Sequence, residues 1–567
     1  KLDDLTDDIL DSLFDPTEKI EIDKKGLVVG QVQSGKTSNY TGLICKAADA
    51  GFKLVIVLAG MHKNLRSQTQ MRLDEGFLGF DTQHTRAFDQ NNIRMGVGKI
   101  DRSSVAHSLT SSLDNGDFSQ GAANSSGFNF ETSEPIIAVV KKNPHVLRRL
   151  IQWLSAQTIQ DNNGARKIRN KSLLLIDDEA DHASINVSND PDRRSTINNL
   201  INQIIGLFGK SGYIGYTATP FANIFIPIEE DNLFPEDFII NIPPPSNYIG
   251  PDRIFGPQFI EKEDENDSVL PIVNRVEDYN DLIPDKHKHY DQLPSSLPPS
   301  LIRAIRCFIV TCAIRRLRGQ TNMHNSMLVH VSRFQRWQDH ITEMIQKHFE
   351  YYKRGIDQND SDILEEFRST FEEDSENYIS YTTVSNQILN SRLSEIDPNI
   401  TIHSWEEVQP HLNEAVSKIK VRAIHGNSGE ILDYYDHRKN GLSVIAVGGN
   451  KLSRGLTLEG LSVSYFLRSS RMYDTLMQMG RWFGYRPNYV DLCRLFTSRE
   501  LNEWFCQITH ASKELREEFD YMRKQAGATP RQYALKVRTF PGTLLVSSLT
   551  KLKQAVYFDL SYSGKLV

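Results

Sequence analysis

Residues 30–37, GQVQSGKT, restrict the possible folds more than any other segment of the chain. They follow the apolar run GLVV, precede a helical pattern and match the spacing G-x-x-x-x-G-K-[ST]. Glycines at these positions let backbone N–H groups turn inward around phosphate oxygens, and the following helix points its positive end at the same place. The segment therefore predicts a phosphate site on a strand–loop–helix unit of an α/β protein.

The ligand expected at this loop is ATP with magnesium. Lys36 can reach the β- and γ-phosphates, and the Thr37 hydroxyl can ligate the magnesium ion. The residues expected to bind the nucleotide through the loop are Gly30, Gln33, Ser34, Gly35, Lys36 and Thr37.

A second motif, LLLIDDEAD at residues 173–181, ends a buried apolar run in a group of carboxylates. Open parallel sheets bind their ligands at the carboxyl ends of the strands. Asp178 is therefore expected to hold the magnesium ion as a metal ligand, and Glu179 is expected to act as the catalytic base on water.

The second half of the chain supplies candidate arginines. Residues 468–499 contain six arginines against two acidic residues, a basic island in a chain whose net charge is −7. An arginine from a second lobe can stabilise the γ-phosphate in the transition state, and Arg481, Arg486 and Arg454 are the candidates. Thr217, Thr219 and Gln478 are expected to couple the nucleotide site to the rest of the protein.

The alternation of short apolar runs with helical patterns predicts an α/β fold with parallel sheets. Prolines and acidic residues are concentrated between two such regions, which suggests an insert or linker. The expected units are a connecting helix at 1–23, a first lobe at 24–228, a Pro-rich acidic insert at 229–300, a second lobe at 301–500 with a helical insertion at about 338–420, and a helical and β extension at 501–567.

Composition narrows the class further. Hydrophobic residues make up 39% of the chain, enough for sizeable cores, and the acidic balance excludes a protein whose overall charge clamps nucleic acid. Five cysteines without a C-x-x-C pair indicate a reducing cytoplasm. The most apolar stretch carries four arginines, so no membrane association is expected. The acidic start is not a signal peptide, and its lack of an initiator Met is what a fragment of a longer protein would show.

Taken in order, these motifs resemble the core of superfamily-two helicases and translocases. GQVQSGKT resembles motif I, IDDEAD motif II, TATP motif III, SRGLT motif V and QMGRWFGYR motif VI. LAGMHKNLRSQTQ resembles motif Ia, and VVKKN stands where motif Ib belongs. The resemblance implies two RecA-like lobes with ATP between them and DNA across both, and Arg66, Lys141 and Lys142 are the candidate DNA contacts.

Two departures from the helicase pattern affect the site. Motif VI usually has its second arginine three residues after the first, whereas Arg486 is five after Arg481. Which arginine acts on the γ-phosphate therefore stays open, although Arg481 follows Gly480 in the position of the usual motif. No segment upstream of Gly30 resembles the glutamine motif that selects adenine.

The longer segment GRWFGYRPNYVDLCRLF, with the first two motifs, is more similar to the Z1 domain family, whose members are often labelled endonucleases. Such proteins tend to be encoded with restriction-modification or phage-defence genes. The resemblance implies a cytoplasmic ATPase that acts on single- or double-stranded DNA without sequence preference, with a MORC-type ATPase, a methylase or a nuclease as partner.

Two alternatives to a DNA motor remain open. One is an endonuclease whose catalytic part is not identifiable, because the sequence has no persuasive set of clustered carboxylates for metal-dependent cleavage. The other is a nucleotide-gated assembly protein that never moves along DNA.

Overall fold

Two β-sheets with helices on their faces form the protein in the computed structural model. The structure describes the chain except for residues 1, 62, 84–91, 102, 104, 126–129, 131–132, 161–165, 186–194, 227–232, 257–268, 426–433, 435–436, 450–451, 453–457, 469, 541–543, 549–550, 553–555 and 557–567, and the side chains of 125 and 170. We call the part built on the first sheet the first lobe and the part built on the second sheet the second lobe.

The first sheet brings the carboxyl ends of β1 and β6 close together. Its strands are β1 (Ile22–Val29), β2 (Leu54–Ala59), β3 (His107–Ser108), β4 (Ile136–Val140), β5 (Ile159–Gln160), β6 (Arg166–Asp178), β7 (Phe208–Thr217) and β8 (Phe238–Asn241). In the order β3-β4-β2-β6-β7-β1-β8 all neighbours are parallel, and β5 pairs antiparallel with the start of β6. Only β7 separates β1 from β6, so the residues that follow these two strands meet at the carboxyl edge.

Apolar residues bury the first sheet on both faces. All six residues of β2, LVIVLA, are buried. Because side chains alternate along a strand, Leu54 and Ile56 join one core cluster while Val55 and Val57 join another on the opposite face. Continuous apolar strands therefore form a sheet that is covered by helices on both sides.

Helices connect the strands and cover the sheets. They are α1 (Leu2–Asp11), α2 (Lys36–Ala50), α3 (Lys63–Leu73), α4 (Gln120–Ser125), α5 (Pro144–Ser155), α6 (Thr196–Gly206), α7 (Pro251–Phe255), α8 (Pro299–Leu317), α9 (Gln335–Asp357), α10 (Ser361–Glu372), α11 (Tyr381–Leu389), α12 (Trp405–Val408), α13 (Leu412–Lys418), α14 (Tyr473–Met479) and α15 (Arg499–Lys524). A π-helical turn, Asp74–Leu78, directly follows α3.

The second sheet is parallel throughout. Its strands are β9 (Val273–Val276), β10 (Asn325–His330), β11 (Ile419–Ile424), β12 (Ser443–Gly448), β13 (Leu461–Phe466) and β14 (Arg494–Ser498), in the order β11-β12-β10-β13-β14-β9. The helix α8 is buried on nearly all sides. Helices α9, α10, α12 and α13 from the acidic helical segment pack around it or on each other.

The Pro-rich segment at 229–300 contributes an edge strand to each sheet. Strand β8 pairs with β1 in the first sheet, and β9 pairs with β14 in the second. The helix α15 packs against β8, β9 and β14, so it also contacts both sheets. The two lobes are therefore joined by paired backbone and a shared helix.

The predicted α/β class with two parallel sheets is confirmed, while the domain boundaries stay a prediction. Across the described parts of the chain, the structure contains no helix whose length and apolar character would let it cross a membrane.

Candidate active site between the two lobes

The phosphate loop joins β1 to α2 and is tightly curled. Gln33 and Gly35 have left-handed backbone conformations, with φ of 56° and 96°. Gly30 is constrained by space instead, because a Cβ atom there would lie 2.8 Å from the Lys36 Cγ. The two glycines of the motif are thus needed for different reasons, one for backbone conformation and one for close approach.

Lys36 is positioned at the mouth of this loop. Its Nζ donates a hydrogen bond to the Gln31 carbonyl at 2.9 Å. Burial lowers the pKa of the Lys36 amine, while the nearby Asp178 and Glu179 carboxylates act in the opposite direction. The side chain that a phosphate would attract thus lies between the loop and the acidic motif.

Arg72 of α3, which sequence reasoning missed, donates to the Thr37 hydroxyl at 3.2 Å.

The acidic motif forms a turn directly after β6. The Glu179 backbone N–H donates to Asp178 Oδ1 at 3.1 Å, and the Tyr40 hydroxyl donates to Asp178 Oδ2 at 3.4 Å. Burial, together with repulsion by Glu179, raises the pKa of Asp178 to about 6, although Lys36 and Lys142 act against this. A half-buried carboxylate with this raised pKa is one that a divalent cation would stabilise, which fits the expected role of Asp178 as a magnesium ligand.

This raised pKa predicts a stability effect in the protein without nucleotide. The folded state holds the Asp178 proton more tightly than the unfolded chain does. Ionisation of Asp178 therefore lowers the free energy of unfolding, partly between about pH 4 and pH 6 and by its full amount above pH 6. Asp178→Asn is expected to raise the free energy of unfolding at pH 8, by no more than about 3 kcal/mol. The gain should shrink as the pH falls toward 4. Urea unfolding of both proteins across this range measures it, and a loss of stability at pH 8 would contradict the prediction.

Asp181, the last residue of IDDEAD, joins the two lobes. Its carboxylate accepts hydrogen bonds from the hydroxyls of Thr217 at 2.9 Å and Thr219 at 3.1 Å. The Gln478 amide of α14 donates to the same carboxylate at 2.5 Å and to the Thr219 hydroxyl at 3.1 Å. The three residues predicted to couple the site to the rest of the protein thus meet on Asp181, to which sequence reasoning gave no role although it stands in the motif.

The candidate arginines differ in what they contact. Arg486 donates to four backbone carbonyls of its own turn, those of Tyr485 at 2.7 Å, Trp482 at 3.2 Å, and Phe483 and Arg481 at 3.3 Å. Arg481 donates through Nε to the Leu452 carbonyl at 3.0 Å. Arg486 therefore stabilises the turn that presents Arg481. Arg454 lies outside the described residues.

The aromatic residues of this turn divide in the same way. Trp482 and Phe483 are buried in the core of the second lobe. The Tyr485 hydroxyl crosses to the first lobe and donates to the Ser34 carbonyl of the phosphate loop at 3.0 Å. Backbone hydrogen bonds between Gly484 and Ile249, at 2.8 and 3.0 Å, hold the turn in place.

Both lobes line one cleft with a volume of about 880 Å³. This volume lies within the range of small-molecule and cofactor sites. The predicted residues that line it are Gln33, Ser34, Gly35, Lys36, Thr37, Asp178, Glu179, Thr217, Thr219, Gln478, Arg481 and Arg486. Gly30 lies at the base of the loop, where its carbonyl accepts a hydrogen bond from Arg516 of α15 at 3.2 Å.

Two of the three candidate DNA contacts lie inside the first lobe. Arg66 is 0% exposed, and its guanidinium donates to the Ser111 carbonyl at 2.7 Å and the Leu113 carbonyl at 2.5 Å. The Lys142 side chain is 0% exposed and pairs with Asp177. The structure therefore buries Arg66 and Lys142 and pairs both charges within the protein, so neither side chain lies on the surface where the predicted DNA contact would form.

Lys141 is the candidate that reaches the surface. Its side chain is 17% exposed and pairs with Asp117 at 3.5 Å. Within the described parts of the chain, the structure contains no group of three or more His, Cys, Asp or Glu residues arranged to hold a metal ion.

Comparison with known proteins gives a family match for the second half of the chain. Residues 300–545 match the model of the Z1 domain. The resemblance predicted from GRWFGYRPNYVDLCRLF is confirmed over these residues. No curated protein sequence matches the chain significantly.

Several solved structures are similar at low identity. One match is the ATP-dependent Type ISP restriction-modification enzyme LlaBIII bound to DNA, with 11% identity and a TM-score of 0.34. The match covers 97% of this chain and 32% of the chain of that enzyme. The DUF1998 helicase MrfA bound to DNA and AMPPNP matches 87% over 48%, with 10% identity and a TM-score of 0.36. S. cerevisiae Dbp5 bound to RNA and ADP BeF3 matches 92% over 92%, with 10% identity and a TM-score of 0.35. The chain spans about a third of the first of these proteins and about half of the second.

Proposed function

We propose that the protein is an ATP hydrolase whose two lobes enclose the nucleotide and whose turnover drives movement on DNA. The observation that carries this proposal is the cleft itself. Phosphate-binding Lys36, acidic Glu179 and basic Arg481 come from distant parts of the chain and line the same space. The Gln478–Asp181 hydrogen bond connects the second lobe to the acidic motif of the first.

Each group of residues in the cleft would have a different role in hydrolysis. Loop N–H groups and Lys36 would bind the phosphates, while the Thr37 hydroxyl and Asp178 carboxylate offer the oxygen ligands that magnesium prefers. A magnesium ion bound there would neutralise phosphate charge. Glu179 would accept a proton from the attacking water, and Arg481 would stabilise negative charge on the γ-phosphate.

Action on DNA and a role in anti-phage or restriction defence are the finer parts of the proposal. They are supported by the order of the helicase-like motifs and by the Z1 match over residues 300–545. A MORC-type ATPase, a methylase or a nuclease would be the partner. With Arg66 and Lys142 buried, the proposed DNA path uses Lys141 and part of the basic island at residues 468–499.

The deciding experiment is the rate of ATP turnover with and without single- and double-stranded DNA. Stimulation by either DNA supports a motor. Stimulation only by a protein partner would replace it with the nucleotide-gated assembly protein. Metal-dependent cleavage of DNA by this chain alone would replace it with the endonuclease.

A salt series tests the DNA path more narrowly. Each phosphate neutralised on a single strand contributes roughly −0.7 to the slope of log affinity against log salt, so about five contacts would give a slope near −3.5. Lys141→Ala is expected to make that slope shallower by about 0.7, because one contact is lost. Affinity for an oligonucleotide of mixed sequence, measured over a range of salt concentrations, provides the test.

Lys46→Ala is the matched control. Lys46 is also a partly buried lysine paired with carboxylates, Asp3 and Asp7, but it lies near the far end of α2. Its slope should equal that of the wild type. An unchanged slope in Lys141→Ala would remove that lysine from the path.

A further inference from the structure

The turn that carries Glu179 has an unfavourable backbone conformation. Glu179 has a φ of 55°, in the left-handed region that residues other than glycine rarely adopt. Such a conformation costs about 1–3 kcal/mol and persists only when surrounding contacts hold it. The contacts that hold Glu179 therefore control where the proposed base points.

Lys142 provides those contacts from inside the lobe. Its Nζ donates to the Glu179 carbonyl at 2.7 Å and to the His182 carbonyl at 3.2 Å. The same amine pairs with Asp177 Oδ1 at 2.6 Å, and both side chains are 0% exposed. One ammonium group thus contacts the carbonyls on both sides of the turn and the strand residue before it.

The position of Lys142 is itself fixed. Its backbone N–H donates to the Gly60 carbonyl at 2.8 Å, next to the end of β2. The following residue, Asn143, caps α5 by accepting hydrogen bonds from His145 and Val146. The Tyr213 hydroxyl donates to Asp177 Oδ2 at 2.8 Å, which holds the partner carboxylate in place.

Stability alone gives little reason for this arrangement. A buried ion pair is often no more stabilising than apolar side chains of the same shape, because both charges lose their water. The ammonium group differs from an apolar side chain in one respect that matters here, which is its ability to donate to two carbonyls while its charge is balanced by Asp177.

We propose that Lys142 is a positioning residue for catalysis, which holds Glu179 in its left-handed conformation and so directs the carboxylate into the cleft. This inference rests on the proposed function, in which Glu179 activates water. Lys142 itself does not line the cleft. Its loss should therefore affect the chemical step and not the binding of ATP.

The test uses Lys142→Met combined with Asp177→Asn, because removing the lysine alone would leave a buried carboxylate without a partner. Binding of a fluorescent ATP analogue and single-turnover hydrolysis are measured on the full chain. We expect affinity within about threefold of the wild type and hydrolysis slower by about 10² or more, the lower range for loss of a general base. Loss of affinity and turnover together, with a collapsed far-UV circular dichroism spectrum, would show a folding role and overturn the proposal.

A double-mutant cycle separates positioning from general damage. In a Glu179→Gln background the Lys142→Met/Asp177→Asn pair should slow the residual hydrolysis by less than about threefold, since its effect acts through Glu179. Additive losses would overturn the proposal. A second pair, Lys142→Gln/Asp177→Asn, keeps an N–H donor and should retain more turnover than the methionine pair at equal ATP affinity. Equal turnover in the two pairs would also count against it.

Lys210→Met is the control for removing a buried lysine from the same lobe. Lys210 lies in β7 and donates to the Pro16 and Glu18 carbonyls, away from the cleft. Its turnover should stay within about threefold of the wild type even if the unfolding temperature falls. Absence of ATP turnover in the wild-type protein would refute the hydrolase itself, a result distinct from an inactive Lys142 variant beside an active wild type.

Discussion

Lys36→Ala and Glu179→Gln are expected to separate ATP binding from ATP turnover. In the proposed site Lys36 contributes charge to the bound phosphates. A hydrogen bond to a charged group is worth about 1.5–3 kcal/mol, so loss of the lysine should weaken ATP binding about 10- to 100-fold. Glu179→Gln keeps the size of the side chain but removes its basicity, so ATP should bind normally while hydrolysis slows by about 10²–10⁴. Equilibrium binding and single-turnover rates on the two variants measure these effects.

The amide in Glu179→Gln leaves the backbone contacts of Lys142 intact, which makes this variant a clean probe of the carboxylate. Lys210→Met again serves as the control for an altered lysine outside the cleft. Normal ATP turnover by the purified Glu179→Gln protein would contradict the assignment of Glu179 as the catalytic base. Unchanged ATP affinity in Lys36→Ala would do the same for the phosphate loop.

Arg481→Ala is expected to cause the largest loss of turnover from the second lobe. Removal of an arginine finger lowers kcat by about 10³–10⁵ in well-studied nucleotide hydrolases, with little change in ground-state affinity. Arg481 lines the cleft and belongs to the turn whose tyrosine contacts the phosphate loop. Steady-state kcat and equilibrium ATP binding, measured on the same preparation, test this expectation.

Arg486→Ala should behave differently because its guanidinium donates to four backbone carbonyls of that turn. We expect a lower unfolding temperature and a partial loss of turnover that follows the loosening of the turn. If the Arg486→Ala protein folds but is inactive while Arg481→Ala keeps nearly normal activity, the proposed roles of the two arginines must be exchanged.

The lobes already share several contacts around the acidic motif. Gln478 donates to Asp181 and Thr219, and Lys551 near the end of the chain donates to the Asp181 carbonyl at 2.9 Å while lying 3.5 Å from Asp474 of α14. Sequence reasoning did not identify Lys551, because nothing in its local sequence marks it. In the proposed motor, these contacts would carry a change at the γ-phosphate to the second lobe.

Sequence alone predicted which residues of the first lobe line the cleft, because their arrangement is largely local. A strand, a glycine loop and the start of a helix in one short segment determine where Lys36 and Thr37 lie, which is the arrangement that a phosphate site requires. The acidic motif is likewise a strand end, and parallel pairing brings Asp178 and Glu179 to the same edge as the loop. Continuous apolar runs such as LVIVLA form strands that are buried along their whole length, as the predicted α/β fold with parallel sheets requires.

Only the tertiary structure decided the roles that depend on distant partners. Arg66 and Lys142 stand in segments that resemble nucleic-acid-contacting motifs, yet Ser111, Leu113 and Asp177 supply partners that make their burial possible. Prolines and acidic residues suggested an insert or linker at 229–300, and only backbone pairing with β1 and β14 showed that two of its short segments are edge strands of the sheets. A basic side chain can face solvent or lie buried, and its own neighbours in sequence do not settle which, because the free energy of burying a charge is set by the groups that surround it after folding.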